Sequence, residues 1–403
     1  MPSVRRPAPL PDGVSQATIG VRGGLLRSHF SETAEALYLT SGYVYDTAAD
    51  AEKAFTGEID RYVYSRYGNP TITMFEERLR LIEGAEAAFA TGSGMAAVFT
   101  GLGALLGAGD RLVAGRSLFG SCFVVCNEIL PRWGVETVFV DGEDLDQWEQ
   151  ALSVPTTAVF FETPSNPMQS LVDIAAVSEM AHAAGAKVVL DNIFATPLLQ
   201  HGLPLGVDVV IYSGTKHIDG QGRVLGGAIL GDKEYIDGPV QTLMRHTGPA
   251  LSPFNAWVLL KGLETLSVRV DYSNASALRV AEFLEDHPAV RRVRYPFLAS
   301  HPQHDLAMRQ MSGGGTVVTF ELDAPEGHGK QRAFEVLDRL AVIDISNNLG
   351  DAKTLITHPA TTTHRAMGPE GRAAIGLGDG VVRISVGLEG TEDLIADLDH
   401  ALG

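Results

Sequence analysis

Val207-Asp208-Val209-Val210-Ile211-Tyr212-Ser213-Gly214-Thr215-Lys216-His217 passes from a mostly apolar, β-branched run into a polar turn that carries a lysine. The apolar part reads as a strand buried on both faces, the signature of a parallel sheet. A lysine just past such a strand lies where ligands gather, outside the carboxyl ends of parallel strands. There it can lose solvation and act as a nucleophilic amine. Ser213 and Thr215 place hydroxyls on either side of the turn, suited to a phosphate. Taken alone, the same residues also describe a surface lysine in a polar loop.

Outward from this run, β-like and helix-like stretches alternate. Strands are expected at Glu86 to Ala90, Arg111 to Ala114, Val135 to Val140, Ala158 to Glu162 and Lys187 to Asp191. Helices are expected from Thr71, ended by Gly84, and at Gly94 to Leu106, Ser121 to Trp133 and Ile174 to Ala184. This alternation implies an α/β fold with helices on both faces of a mainly parallel sheet. After about Leu251 the texture changes. One long helix is expected over Asn255 to Leu284, then a strand at 316–322, a helix at 331–340, a strand at 381–386 and a closing helix at 391–402. That is a smaller α+β domain. Residues 1 to about 30 are rich in Pro and Gly and read as an extended arm. The expected division is an arm over 1–68, a large domain over 69–265 and a small domain over 266–403.

A chain of 403 residues exceeds one ordinary hydrophobic core, which agrees with two packed domains. A net charge of −18 repels phosphate backbones and disfavours nucleic-acid binding. The basic groups Arg5-Arg6 and Arg291, Arg292, Arg294 are too short to reverse that. Two cysteines, Cys122 and Cys126, supply neither a disulfide framework nor a structural zinc site, so a reducing cytoplasm is expected and no metal. The most apolar stretches are broken by Gly and too short to span a bilayer, so no membrane association is expected.

Two further stretches change the weight of Lys216. Asp191 ends the run Ala186-Lys187-Val188-Val189-Leu190, twenty-five residues before Lys216, about one βαβ step. A carboxylate for a pyridinium nitrogen together with a lysine amine is the pattern expected of pyridoxal 5'-phosphate, PLP. Ala90-Thr91-Gly92-Ser93-Gly94-Met95-Ala96-Ala97 is a Gly-rich turn opening a helix, where exposed N–H groups can bind phosphate. It matches neither of the common nucleotide-binding glycine motifs, and by itself it is equally a tight strand-to-helix turn.

These stretches fall in order with Tyr64-Ser65-Arg66-Tyr67-Gly68-Asn69-Pro70-Thr71, Glu162-Thr163-Pro164-Ser165-Asn166-Pro167 and Arg383-Ile384-Ser385-Val386-Gly387. The set resembles the Cys/Met-metabolism family of PLP enzymes, from about Thr18 to the C-terminus. The resemblance implies the aminotransferase-like fold, fold type I, with a seven-stranded, mainly parallel sheet in the large domain. It implies that Lys216 holds PLP covalently and shuttles protons, and that Asp191 keeps the ring nitrogen protonated. Gly94, Met95, Ser213 and Thr215 are implied at the phosphate, with Tyr64 and Arg66 reaching a phosphate in a neighbouring subunit. Asn166 is implied near the phenolic oxygen, and Arg383, with its planar fork, at the substrate carboxylate. A homotetramer built as a dimer of dimers follows from the same resemblance.

Leu118-Phe119-Gly120-Ser121 departs from much of the family, which carries a stacking tyrosine where Phe119 stands. Phe119 can stack on PLP but cannot transfer a proton. Ser121 occupies the place of a cysteine found in some γ-lyases, and both cysteines read as packing residues. Asn347-Asn348-Leu349-Gly350 with His358-Pro359-Ala360 and Thr361-Thr362-Thr363-His364 resembles the sulfhydrylase branch, with Asn348 implied at the substrate. The expected reaction displaces succinate from a succinylated homoserine with sulfide, giving homocysteine, on the route to methionine. An acetyl ester, a γ-lyase and a cystathionine γ-synthase remain alternatives on the same scaffold. His358 and His364 have no thiol or carboxylate cluster around them and read as hydrogen-bonding loop residues.

Overall fold

Seven strands, β1 (Ala87–Thr91), β2 (Arg111–Gly115), β3 (Glu136–Val140), β4 (Ala158–Glu162), β5 (Lys187–Asp191), β6 (Val209–Ser213) and β7 (Gly227–Gly231), form one sheet in the computed structural model. Their order is β1-β7-β6-β5-β4-β2-β3. The pairs β2–β3, β2–β4 and β4–β5 are parallel, and β1–β7 is antiparallel. A second, five-stranded sheet runs β10 (Asp344–Ile345), β11 (Leu355–Thr357), β12 (Val381–Ser385), β9 (Val317–Leu322) and β8 (Val290–Arg294). The architecture is the expected α/β fold with a mainly parallel seven-stranded sheet and a smaller second sheet. The structure describes residues 9–403, so Arg5-Arg6 and the first eight residues of the expected arm lie outside the described residues. Among the described residues no helix is long and apolar enough to cross a membrane.

By contacts the chain forms two units. The first takes in the described residues up to Ala104 with Ile211–Asp219 and Arg223–Ser267. Its helix Pro70–Glu83 starts as the residues dictate: the Asn69 side chain accepts the Thr71 N–H at 2.9 Å, and Pro70 occupies the first turn. Gly84 ends it at φ +81°, a left-handed turn that a Cβ would strain. Arg78 on this helix is fully buried. It donates to Gly23 O at 2.8 Å and pairs with Glu35, which also holds Lys261 at 3.0 Å.

The second unit comprises Leu105–Val210, Gly220–Gly222 and Val268–Gly403. Strands β4 and β5 are buried almost throughout, as their uninterrupted apolar residues require. The five-stranded sheet packs Val318, Phe320, Val382 and Ile384 with Val280, Leu284, Leu394 and Leu398 in one apolar cluster.

Several local expectations need correction. The arm is not wholly extended: Gln16–Arg22 is helical with Ser15 as its cap, and Ala48–Thr56 is helical with Thr47 as its cap. Capping hydroxyls carried that signal through otherwise aperiodic stretches. The helix expected over 255–284 is two, Pro253–Leu263 and Leu266–Asp286. Gly262 sits so close to Ile218 O that an added Cβ would come within 2.1 Å, a tertiary constraint next to the break. The helix expected over 121–133 is α-helical only at Gly120–Val124, then a π turn at Val125–Ile129 and a 3-10 turn at Leu130–Trp133. Pro131, which lacks an N–H, falls at that last change of pitch. Strands β7 and β8 escaped notice because glycines frame the first and arginines dominate the second.

Candidate active site

The site residues fall into two groups, one in each unit. In the first unit, β1 ends at Thr91 and the chain turns through Gly92-Ser93 into the helix Gly94–Gly103. Ser93 caps it, accepting the Ala96 N–H at 3.1 Å. The first N–H groups of a helix have no partner within it, and Gly94 and Met95 occupy those first positions. Gly94 is required by a close approach: a Cβ there would lie 2.6 Å from Ser213 Cβ and 2.8 Å from its Oγ. The Ser213 hydroxyl at the end of β6 therefore abuts the first turn of this helix. Thr215 is tied to Gly226, accepting its N–H at 3.2 Å. Half-buried Lys216 follows, its own N–H donating to Ser213 O at 3.3 Å.

Tyr64 and Arg66 belong to the same unit and form a group with Tyr67 and Arg245. The Arg66 guanidinium lies over the Tyr64 ring at 5.2 Å and the Tyr67 ring at 4.9 Å, and donates to Arg245 O. Arg245 covers Tyr67 at 5.1 Å. Tyr64 is 41% exposed.

In the second unit, Asp191 at the end of β5 is 2% exposed. Its register partner on β4 is Glu162, 4% exposed. Glu162 Oε2 accepts the Phe119 N–H at 2.8 Å, and Glu162 also accepts a bond from the Asn166 backbone. Burial raises the pKa of both carboxyls, and the Asp191 charge further opposes ionisation of Glu162. Arg383 on β12 is 1% exposed. Its Nη1 donates to Asn166 Oδ1 at 3.0 Å, and its Nη2 donates to Asn347 O at 2.9 Å and to Asn348 O at 3.3 Å. Its buried Nε has no partner among the described residues. Asn348 thus meets Arg383 through its main-chain oxygen. Burial lowers the Arg383 pKa to about 10.

The unit brings Phe119, Asn166, Asp191, Asn348 and Arg383 into one neighbourhood with Glu162, a residue given no role from sequence; its signal was a strand-ending acid ahead of a Pro-rich turn. His364 joins them: it bonds Asn166 O at 3.0 Å, and burial with the nearby Arg383 charge lowers its pKa to about 4, so it is neutral. His358 bonds Asp379 O and Thr361, and both histidines take the hydrogen-bonding loop role expected of them. Both cysteines are buried, which pushes the Cys126 thiol up to about 12 and the Cys122 thiol up as well. Neither is poised as a nucleophile.

The donors of each unit suit a part of PLP. In the first, N–H groups at a helix start beside a serine hydroxyl suit a dianionic phosphate, and a lysine past a strand end suits an aldehyde; in the second, a buried carboxylate suits a pyridinium.

An O-succinylhomoserine sulfhydrylase of Mycobacterium tuberculosis is 83% identical over 400 residues, 99% of this chain and 98% of that protein. One of Pseudomonas aeruginosa is 48% identical, covering 97% of this chain and 96% of its own length. Among solved structures, a Campylobacter jejuni protein described as an O-acetylhomoserine (thiol)-lyase superposes with a TM-score of 0.91 at 30% identity, covering 96% of this chain and 100% of that one. It carries a pyridoxyl-lysine phosphate adduct. The fold is that of the fold type I PLP enzymes. The sequence pattern described as Cys/Met metabolism PLP-dependent enzyme matches residues 17–403, nearly the whole length: the chain belongs to that family.

Proposed function

We propose that the chain catalyses γ-replacement on O-succinyl-L-homoserine, with hydrogen sulfide displacing succinate to give L-homocysteine in methionine biosynthesis. The observation that carries this reading is the 83% identity to an O-succinylhomoserine sulfhydrylase over nearly the whole of both chains. Bound PLP supplies an electron sink that acidifies the substrate's α-carbon. Lys216 holds it and, once its amine is released, moves protons to and from the substrate carbons. Asp191 holds the ring nitrogen's proton in place by its negative charge. Gly94 and Met95 donate N–H bonds to the phosphate, with the Ser213 and Thr215 hydroxyls. Tyr64 and Arg66 complete the phosphate site of a neighbouring subunit. Phe119 stacks on the ring, and Asn166 lies at the phenolic oxygen.

Arg383 binds the substrate's α-carboxylate, helped by the Asn348 segment. A carboxylate at its unmatched Nε supplies the acceptor that this buried donor lacks. We read the domains as an arm over 1–68, a PLP-binding domain over 69–265 and a small domain over 266–403, in a cytoplasmic homotetramer made of two dimers. The test supplies O-succinyl- and O-acetylhomoserine with sulfide or cysteine and identifies the product. Homocysteine and succinate from the succinyl ester and sulfide are expected. Turnover of the acetyl ester alone, cystathionine as the preferred product, or 2-oxobutyrate as the main product would overturn the assignment.

A further inference from the structure

Glu162 and Asp191 close two parallel strands in direct register, and neither reaches solvent appreciably. Neighbouring strands lie about 4.8 Å apart and register partners project to the same face, so these two buried side chains are neighbours. Carboxylates this close and this buried do not both ionise; the pair keeps a proton. Among the described residues, Asp191 from β5, Cys122 from the helix Gly120–Val124 and Arg383 from β12 bear on Glu162. Asp191 disfavours a negative Glu162. Arg383 favours one, but its Nη groups are committed to Asn166, Asn347 and Asn348. Glu162 also accepts N–H bonds from the backbones of Phe119 and Asn166, on two separate loops. A neutral carboxyl can accept both of those bonds.

We infer that Glu162 is a positioning residue, which carries the one proton of the Glu162–Asp191 pair so that Asp191 stays ionised, and which fixes the backbones of Phe119 and Asn166. The inference rests on the cofactor roles proposed above, in which Asp191 must be anionic to face a pyridinium nitrogen. A charged Glu162 would compete for that cation; a neutral one leaves Asp191 as its sole partner in the pair. Burial raises the pKa of both carboxyls, and the Asp191 charge raises that of Glu162 as well.

The test uses the PLP-loaded enzyme near neutral pH. Its infrared spectrum is expected to show a protonated-carboxyl C=O band that shifts on 13C-glutamate labelling and disappears in Glu162→Gln. The visible absorption of the bound cofactor is titrated in both proteins. Because Gln is a neutral near-isostere, the midpoints should agree within about 0.3 pH unit, about a twofold change in equilibrium. Glu162→Ala, which removes both anchors, should weaken PLP binding about tenfold or more, and Gln should restore most of it. Buried Glu83 is also protonated near neutral pH, so the difference between wild type and Glu162→Gln is read; a difference spectrum without a glutamate carboxyl band overturns the proton assignment. A midpoint displaced by about one unit or more in Glu162→Gln overturns it too, because a negative charge has then been removed. Wild-type PLP affinity in Glu162→Ala overturns the positioning role. None of these readouts uses an ester or sulfide, so a failure of the substrate reading leaves them intact.

Discussion

Arg383 Nη1 donates to Asn166 Oδ1 at 3.0 Å, so the residue proposed at the substrate carboxylate directly holds the residue proposed at the cofactor oxygen. One lies on β12 and the other in the turn that follows β4, 217 positions apart. Arg383→Lys removes the planar fork while keeping the charge. The loss of a charge-assisted hydrogen bond, about 2 kcal/mol, should lower kcat/KM for O-succinylhomoserine roughly 30-fold. The larger share should fall on KM, because binding of the carboxylate is common to ground state and transition state. Steady-state kinetics of the two proteins checks this; unchanged KM would remove Arg383 from the substrate.

Lys216→Ala should yield a folded protein without the visible band of the lysine-bound cofactor and without a borohydride-fixable PLP adduct in the site. Spectroscopy and mass analysis after reduction measure both. An adduct retained at another active-site residue would displace Lys216 from its role.

Exposed Tyr64 and its neighbour Arg66 are proposed to serve a second subunit. Arg66→Ala and Lys216→Ala chains, each nearly inactive alone, should recover activity when mixed, because a hybrid dimer contains one site with both residues. Activity assayed after subunit exchange tests the point. Exchange without recovery would confine each site to one chain.

Phe119 has no ionisable group, so its proposed contribution is stacking, about 0.5–1.5 kcal/mol beyond area burial. Phe119→Leu should therefore reduce homocysteine formation roughly tenfold or less. Phe119→Tyr should keep the replacement activity and raise elimination to 2-oxobutyrate by adding a polar proton relay. Parallel assays of both products measure this. A wild type inactive on either ester, beside an active tyrosine variant, would reverse the assignment.

Glu83 is buried, with the Tyr212 hydroxyl donating to Oε2 at 2.6 Å, and burial raises its pKa from 4.5 to about 8. Between those values the folded state binds a proton that the unfolded state has released. This group therefore lowers stability progressively as pH rises through that window, by at most about 1.4 kcal/mol per unit. Glu83→Gln removes the titration, so its stability relative to wild type should improve from pH 5 to pH 8. Denaturant unfolding at the two pH values checks the sign. A relative stability independent of pH would show that Glu83 titrates alike in both states.

The α/β order and most strands of the large sheet were legible because a strand buried on both faces writes its apolar residues consecutively. Val207 to Tyr212 and Ala158 to Phe161 need no partner to be read. Asp191, Lys216 and the Gly94 turn were legible for a related reason: parallel-strand ends are where polar residues interrupt such runs. The framing glycines hid β7, since the value of Gly at those positions lies in what packs against them. The break between Leu263 and Leu266 stayed hidden likewise, because the approach of Gly262 to the Ile218 carbonyl is a contact between distant segments.

Tertiary structure alone decided which residues surround Asp191. Nothing local distinguishes Glu162 from a strand-ending acid in water. Register places it beside Asp191, burial makes their shared charge costly, and the N–H groups of Phe119 and Asn166 give its oxygens partners. Composition and periodicity determine which elements form and which faces they bury. The protonation of a carboxyl depends on distances of a few ångströms between segments far apart in the chain, and those distances exist only once the sheet has formed.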